Sequence, residues 1–246
     1  MPTSNALRNF LDWLGTTAPD AAGIPDEAKD PKEIFRRIED TQTSPPGIRV
    51  VHDPERGKVW LFEKRPNDHD YRCESNGIIW RGVSYESWEE GDVYDFSWGS
   101  RLADAQSLVH GDYVIFQWKS YPEGVQNYPL LLSVQKNRLS LIHSNEQQKW
   151  IVAWEGSIRS DVWFDIRLRI TLSRHAEHGN VRLWFNDELQ TFVRDRFGNV
   201  LEDEVLVCRT LDNGRGNYPK WGAYNREHCQ HGIQHYLNSP RIRRIA

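Results

Sequence analysis

From Ile48 onward apolar and polar residues alternate with a period of two, in short runs separated by turn-forming residues. The clearest run is Trp163 to Thr171, where Phe164, Ile166, Leu168 and Ile170 fall on one side and Asp165, Arg167 and Arg169 on the other. A strand patterned in this way covers a core with one face and meets water with the other. The same reading predicts strands near 49–52, 58–63, 78–83, 93–100, 112–119, 129–136, 139–143, 150–154, 180–185, 190–193, 204–208, 220–225 and 241–244. Many short antiparallel strands with turns between them predict an all-β fold, a β-jelly-roll sandwich of two antiparallel sheets.

Ahead of these strands the period is helical. Residues 4–14 predict a short amphipathic helix with Ser4 as its cap, Leu7, Phe10, Leu11 and Leu14 on one side, and Gly15 as its stop. A second helix is predicted over 31–39, with Asp30 as cap, Pro31 at the first position and Glu33 completing a capping box. The chain therefore divides into a helical N-terminal extension, 1–47, and a β domain, 48–246.

Composition narrows the function. Hydrophobic residues are only 38% of the 246, yet 11 Trp and 9 Tyr are present, and large amphipathic rings suit broad wet binding surfaces as well as cores. A formal net charge of −4 provides no global field that would draw the chain onto nucleic acid, so an anionic ligand must be met locally. No apolar run approaches a membrane span, and the first residues show no basic stretch followed by an apolar one. Three cysteines are too few for a disulfide scaffold and lack the paired spacing of a zinc site; Cys208 and Cys229 remain a candidate bridge in an exported protein.

Two stretches carry the candidate chemistry. If Tyr113 to Lys119 is a strand, Val114, Phe116 and Trp118 share one face while Ile115, Gln117 and Lys119 share the other. The segment from Asn213 to Pro219 reads as a flexible turn leading into Lys220-Trp221-Gly222-Ala223-Tyr224-Asn225-Arg226, where Lys220 sits beside Tyr224. Gly222 leaves room there, either for a ligand near the backbone or for packing in a curved strand. Arg72 and Glu74 share a face as well, so that Arg72, oriented by Glu74, can grip a carboxylate, or the two form a surface ion pair. An amide, ammonium groups and a phenol on one surface suit an acidic sugar. His143, on an apolar-alternating stretch, is either a further group facing that surface or a structural histidine. The remaining histidines show no metal spacing, and no loop carries a calcium signature, although a structural calcium is compatible with a sugar-binding jelly roll.

In this order the segments resemble the β-jelly-roll polysaccharide lyases, the group that includes glucuronan lyases, alginate lyases and heparin lyase I-like enzymes. The resemblance spans roughly 49–244 and rests on Arg72-x-Glu74, Glu90 to Trp98, Gln117-x-Lys119, the pair Trp163 and Trp184, and Lys220-x-Gly222-x-Tyr224. It implies that Arg72 and Gln117 neutralise a uronate carboxylate, that Lys119 assists as base or stabiliser, and that Tyr224 serves as acid and often also as base. Lys220, Glu74, His143, Trp118 and Arg226 are then the candidates for substrate binding. Many members have His where this chain has Lys119; ulvan lyases are among those thought to use Lys. The carboxylate must be neutralised because the proton on C5 leaves only if an enolate-like state can form. Unperturbed Lys and Tyr titrate at about pH 10, so neighbouring cations must lower one of them, and an alkaline optimum is expected.

The leading expectation is a secreted, monomeric lyase that cuts a uronate polymer, glucuronan foremost, by β-elimination, with no required cofactor and neither nucleic acid nor membrane as partner. The main alternative is a non-catalytic carbohydrate-binding module on the same fold. A glycoside hydrolase would need two carboxylates across the site, and no Glu-x-Asp-x-x-Glu strand is present.

Overall fold

The computed structural model of the protein describes residues 30–40, 47–66, 72–80, 83–84, 88–109, 113–122, 127–212, 214–225 and 232–245. In chain order the strands are β1 (Phe35–Asp40), β2 (Ile48–Asp53), β3 (Gly57–Lys64), β4 (Arg72–Trp80), β5 (Val83–Ser84) and β6 (Val93–Leu102). They continue as β7 (Tyr113–Pro122), β8 (Asn127–Gln135), β9 (Arg138–Ser144), β10 (Trp150–Ser157), β11 (Phe164–Thr171) and β12 (Asn180–Phe185). The last six are β13 (Glu188–Leu189), β14 (Phe192–Arg194), β15 (Val200–Asp203), β16 (Leu206–Val207), β17 (Gly214–Asn225) and β18 (Ile233–Arg244).

Two large antiparallel sheets result. The first runs β1-β4-β17-β7-β8-β9-β10 and the second β13-β12-β11-β6-β18-β3-β2, with β14 and β15 as a separate hairpin. Neighbours far apart in sequence, such as β4, β17 and β7, are adjacent in space, and this crossover connectivity is that of a jelly roll. One core lies between the sheets. Trp98 of the second sheet packs on Phe116 and Trp221 of the first at 4.7 and 5.9 Å between ring centroids, at stacked and edge-on angles.

The N-terminal part differs from the helical expectation. Asp30 does cap a turn, its Oδ1 accepting from the Lys32 amide, but only the 3-10 turn Pro31–Glu33 follows. Phe35 then enters the core against Trp60 and Phe62, and the chain pairs as β1 with the edge of β4. Burying that ring and satisfying an open strand edge outweigh the local helix pattern. Residues 35–40 therefore belong to the sandwich rather than to a helical extension. The helix predicted over 4–14 lies outside the described residues. Cys208 is a buried free thiol, and Cys229 lies outside the described residues.

One further difference, and one open alternative that the structure decides, shape the site. The supposed turn before Lys220 is strand, because β17 is already paired with β7 from Gly214. Gly222 is needed for strand packing: at φ +150° a Cβ there would lie 2.3 Å from the Cys73 carbonyl oxygen and 2.7 Å from the Glu74 Cα. Gly222→Ala is expected to destabilise by about 2 kcal/mol or more, from backbone strain and the displacement of β4. A thermal melt within a degree of the parent would show that β4 yields without cost.

Candidate active site

The register of three strands puts the polar residues on one face. In β17, Lys220 lies opposite Gln117 of β7 and Tyr218 opposite Lys119; on the other flank, Gly222 lies opposite Glu74 and Tyr224 opposite Arg72 of β4. Directly opposed residues of an antiparallel pair point to the same side, as do alternate residues of one strand. Arg72, Glu74, Gln117, Lys119, Lys220 and Tyr224 therefore share the outer face of the first sheet. Their neighbours Cys73, Phe116, Trp118, Trp221 and Ala223 face inward, into the core.

An ion network holds the polar set together. Lys220 Nζ donates to Glu39 Oε2 at 2.8 Å and to Glu74 Oε2 at 2.9 Å. Arg72 Nη1 donates to Glu39 Oε2 at 2.9 Å, Asn76 Nδ2 to Glu39 Oε1 at 2.7 Å, and Gln117 Nε2 to Glu74 Oε1. Two carboxylates thus meet two cations, and each carboxylate is held by several donors. Such pairing is what makes charge tolerable at the 1% exposure of Lys220 and Glu74. Burial alone would raise the carboxyl pKa of Glu39, but Lys220, Asn76 and Arg72 together bring it down to about 2. Burial likewise disfavours the Lys220 ammonium, yet Glu74 and Glu39 more than compensate and its pKa rises. Lys220 is a fixed cation and unsuited to act as a base near neutral pH.

The groups left for a ligand sit beside this network. The Arg72 guanidinium lies over the Tyr224 ring at 4.7 Å, and its side chain is 39% exposed. Among the described residues only the donors on Nη1, of its five N–H groups, are taken by carboxylates, which leaves the rest of the fork open to a ligand. Among the described residues nothing hydrogen-bonds the Tyr224 hydroxyl, while its ring packs with Val114, Tyr128, Leu131 and Ile142. Val114 reaches that cluster because the register between β7 and β17 shifts between Trp221 and Tyr224, and between β7 and β8 from Val114 to Phe116. Ile115 goes to the core instead of joining Gln117, which reverses the sequence reading for Val114 and Ile115. Lys119 Nζ lies 3.8 Å from the Tyr128 ring centroid, and Tyr128 packs on the 40%-exposed Trp150.

Two predicted binding residues are elsewhere. His143 is paired with Leu130, which in turn pairs with Trp118, and both Leu130 and Trp118 are in the inter-sheet core. Its Nδ1 bonds the Pro129 carbonyl at 2.8 Å, and burial pushes its pKa down. His143 is thus a buried neutral ring on the far side of the sheet from Tyr224. Trp118 is fully buried, donates to the Thr210 carbonyl at 2.7 Å and packs edge-on against Trp88, so it has no face for a sugar. Arg226 lies outside the described residues.

Sequence reasoning missed Glu39, Tyr128 and Trp150. Glu39 carried no local signal, because its partners are on β4 and β17. Tyr128 did carry one: Asn-Tyr-Pro occurs at 127–129 and again at 217–219, and the two tyrosines flank Lys119 from β8 and β17. Among the described residues no group of three or more His, Cys, Asp or Glu is placed to hold a metal ion.

Comparison with known proteins agrees with this architecture. A glucuronan lyase from the fungus Trichoderma reesei superposes with a TM-score of 0.62 at 12% identity, covering 85% of this chain and 90% of that one. A family 7 alginate lyase solved with substrate gives 0.54 at 13% identity, covering 79% and 81%. The binding domain of botulinum neurotoxin DC gives 0.51 at 10% identity, over 85% of this chain and 43% of that one, so the fold is also found in a non-lyase setting. No curated relative matches the sequence. The family model described as polysaccharide lyase matches residues 36–239, which is most of the chain. The protein is therefore an enzyme that acts on polysaccharides by lyase chemistry, and it belongs to the polysaccharide lyase family.

Proposed function

We propose that the enzyme cleaves a uronate-containing polysaccharide, glucuronan-like in its acidic sugar, by β-elimination on the outer face of the first sheet. The observation that carries this reading is the pairing there of an open guanidinium, Arg72, with a tyrosine hydroxyl that has no protein partner among the described residues. The sugar carboxylate is received by the free fork of Arg72 and the remaining amide proton of Gln117. Both groups are aimed by Glu39 and Glu74. Their charge and dipole stabilise the enolate-like state formed when the C5 proton leaves. Tyr224 returns a proton to the departing glycosidic oxygen and can also be the group that removes the C5 proton; Lys119 assists as base or stabiliser. Lys220 acts through Glu39 and Glu74 as a positioning residue. Tyr128 and Trp150 offer ring faces to neighbouring sugars.

The test is incubation with glucuronan, alginate, ulvan and heparin while following the ultraviolet absorbance of the conjugated unsaturated uronate. Absorbance is expected to rise with at least one uronate polymer, fastest at alkaline pH. New reducing ends without that absorbance would indicate hydrolysis and overturn the mechanism. Gln117→Ala is expected to raise KM and lower kcat, with kcat/KM down about tenfold or more, because the amide touches ground and transition states alike. An unchanged kcat/KM would remove Gln117 from carboxylate recognition.

A further inference from the structure

The opposite face of the molecule carries a second set of cations that the first does not explain. On the outward side of the second sheet the register aligns Trp184, Arg167, Ser97 and Arg241 in one row across β12, β11, β6 and β18. The next row is Arg182, Arg169, Asp95 and Arg243. Across both rows five arginines face a single aspartate. Arg169 is taken by Asp95 in a bidentate pair at 2.7 and 2.8 Å. Among the described residues Arg167, Arg182 and Arg243 have no carboxylate partner; Arg167 lies over the Trp184 ring at 3.7 Å. That stack holds the guanidinium flat while its N–H edges stay open, the geometry for gripping a carboxylate with two parallel bonds.

Beside the rows is a depression of about 370 Å³, lined among others by Ser97, Arg167, Trp184, Asn238 and Arg241, and also by two carboxylates, Asp187 and Asp165, the latter paired with Arg56 at 3.0 Å. Asn238 is 3% exposed, and among the described residues its Nδ2 has no hydrogen-bond partner. A buried amide left in this way costs about 1–3 kcal/mol unless something else accepts its bond. The register of β18 shifts between Asn238 and Arg241, and Ser239 has φ 42°, so a bulge turns the chain at the rim of the depression. Bulges of this kind re-aim side chains next to binding sites. Strands lie ~4.8 Å apart, so each row spans roughly 14 Å, long enough for several linked sugars.

From the open guanidinium fork of Arg167, the absence of a carboxylate partner for Arg182 and Arg243 among the described residues, and the unsatisfied amide of Asn238, we infer that this face is a second, non-catalytic binding site for a carboxylated sugar chain. The arginines take the carboxylates, while Asn238 and Ser97 meet hydroxyls. Nucleic acid fits less well, because the net charge of −4 opposes long-range attraction and the ring in these two rows, Trp184, already carries Arg167 on a face. The choice of a uronate chain rests on the function proposed above. A second grip on the same polymer raises the effective concentration of chain at the catalytic face without any new contact there.

The experiment is calorimetric titration of the full chain with a short glucuronate oligosaccharide, in a Tyr224→Phe background so that the ligand is not consumed. Two ligands per chain are expected, and one after Arg167→Ala with Arg241→Ala. One falling to none leaves this site standing and removes the function proposed for the other face. An equal stoichiometry before and after the substitutions overturns the inference. So does equal occupancy by a neutral gluco-oligosaccharide, or tighter binding of a short DNA strand at the same face. Arg182→Glu with Arg243→Glu, in which neither arginine has an ion pair to lose among the described residues, guards against a folding artefact: about tenfold weaker binding at this site is expected, and unchanged binding counts against the proposal.

Discussion

Tyr224→Phe is expected to reduce turnover of a uronate polymer by about a hundredfold to ten-thousandfold, the range that a positioned acid or base supplies, while leaving binding almost intact. The substitution removes one oxygen. Among the described residues that oxygen bonds nothing, so its loss orphans no partner and opens no unsatisfied group. The ring stays packed with Val114, Tyr128, Leu131 and Ile142, and Arg72 keeps its place over the ring face. A melting temperature within a degree or so of the parent is therefore expected alongside the kinetic loss. If kcat survived in the variant, the phenol would be only a wall of the site. A rise in Kd with kcat unchanged would make it a binding group instead.

The sheets were legible because a half-buried strand announces itself with period two. Phe164, Ile166, Leu168 and Ile170 needed nothing beyond their own alternation to be placed in the core. β1 and the first half of β4 were not legible, for the opposite reason. Arg72-Cys73-Glu74-Ser75-Asn76 is polar on both faces: Ser75 exchanges hydrogen bonds with the Trp221 backbone, and Glu74 is buried only because Lys220 arrives from a strand about 150 residues later. Parity explains why Gln117, Lys119, Lys220 and Tyr224 fall together, and equally why Trp118 does not join them. His143 was ambiguous from sequence because its stretch is apolar on nearly every position; its pairing with Leu130 decides the side. The cations were read as an open set, whereas the structure surrounds them with Glu39 and Glu74. That difference changes Lys220 from a group awaiting substrate into one that holds the site in shape.

Lys220→Met should be the most damaging single change to stability in the site. It removes the donor that hydrogen-bonds both carboxylates and leaves Glu74, 1% exposed, with the Gln117 amide and, among the described residues, only the more distant Arg72 guanidinium at 3.9 Å. Stripping one partner from a buried ion pair costs about 3–5 kcal/mol, which in a protein of this size lowers the melting temperature by roughly 10 °C. Adding Glu74→Gln should restore more than half of that loss, since the second buried charge disappears while an amide oxygen still accepts from Gln117. The pH dependence has a defined sign. Glu39 has its pKa lowered from 4.5 to about 2, so in the parent its contribution is complete above pH 4.5 and is lost as the pH falls towards 2. Without Lys220 the burial of Glu39 is opposed, among the described residues, by Asn76 and Arg72, its pKa rises, and protonation relieves the variant first. The gap between parent and variant melts should therefore be widest at neutral pH and narrow on acidification through about pH 4. A constant gap across that range would mean that Lys220 supports the site by packing its methylenes and not by its charge.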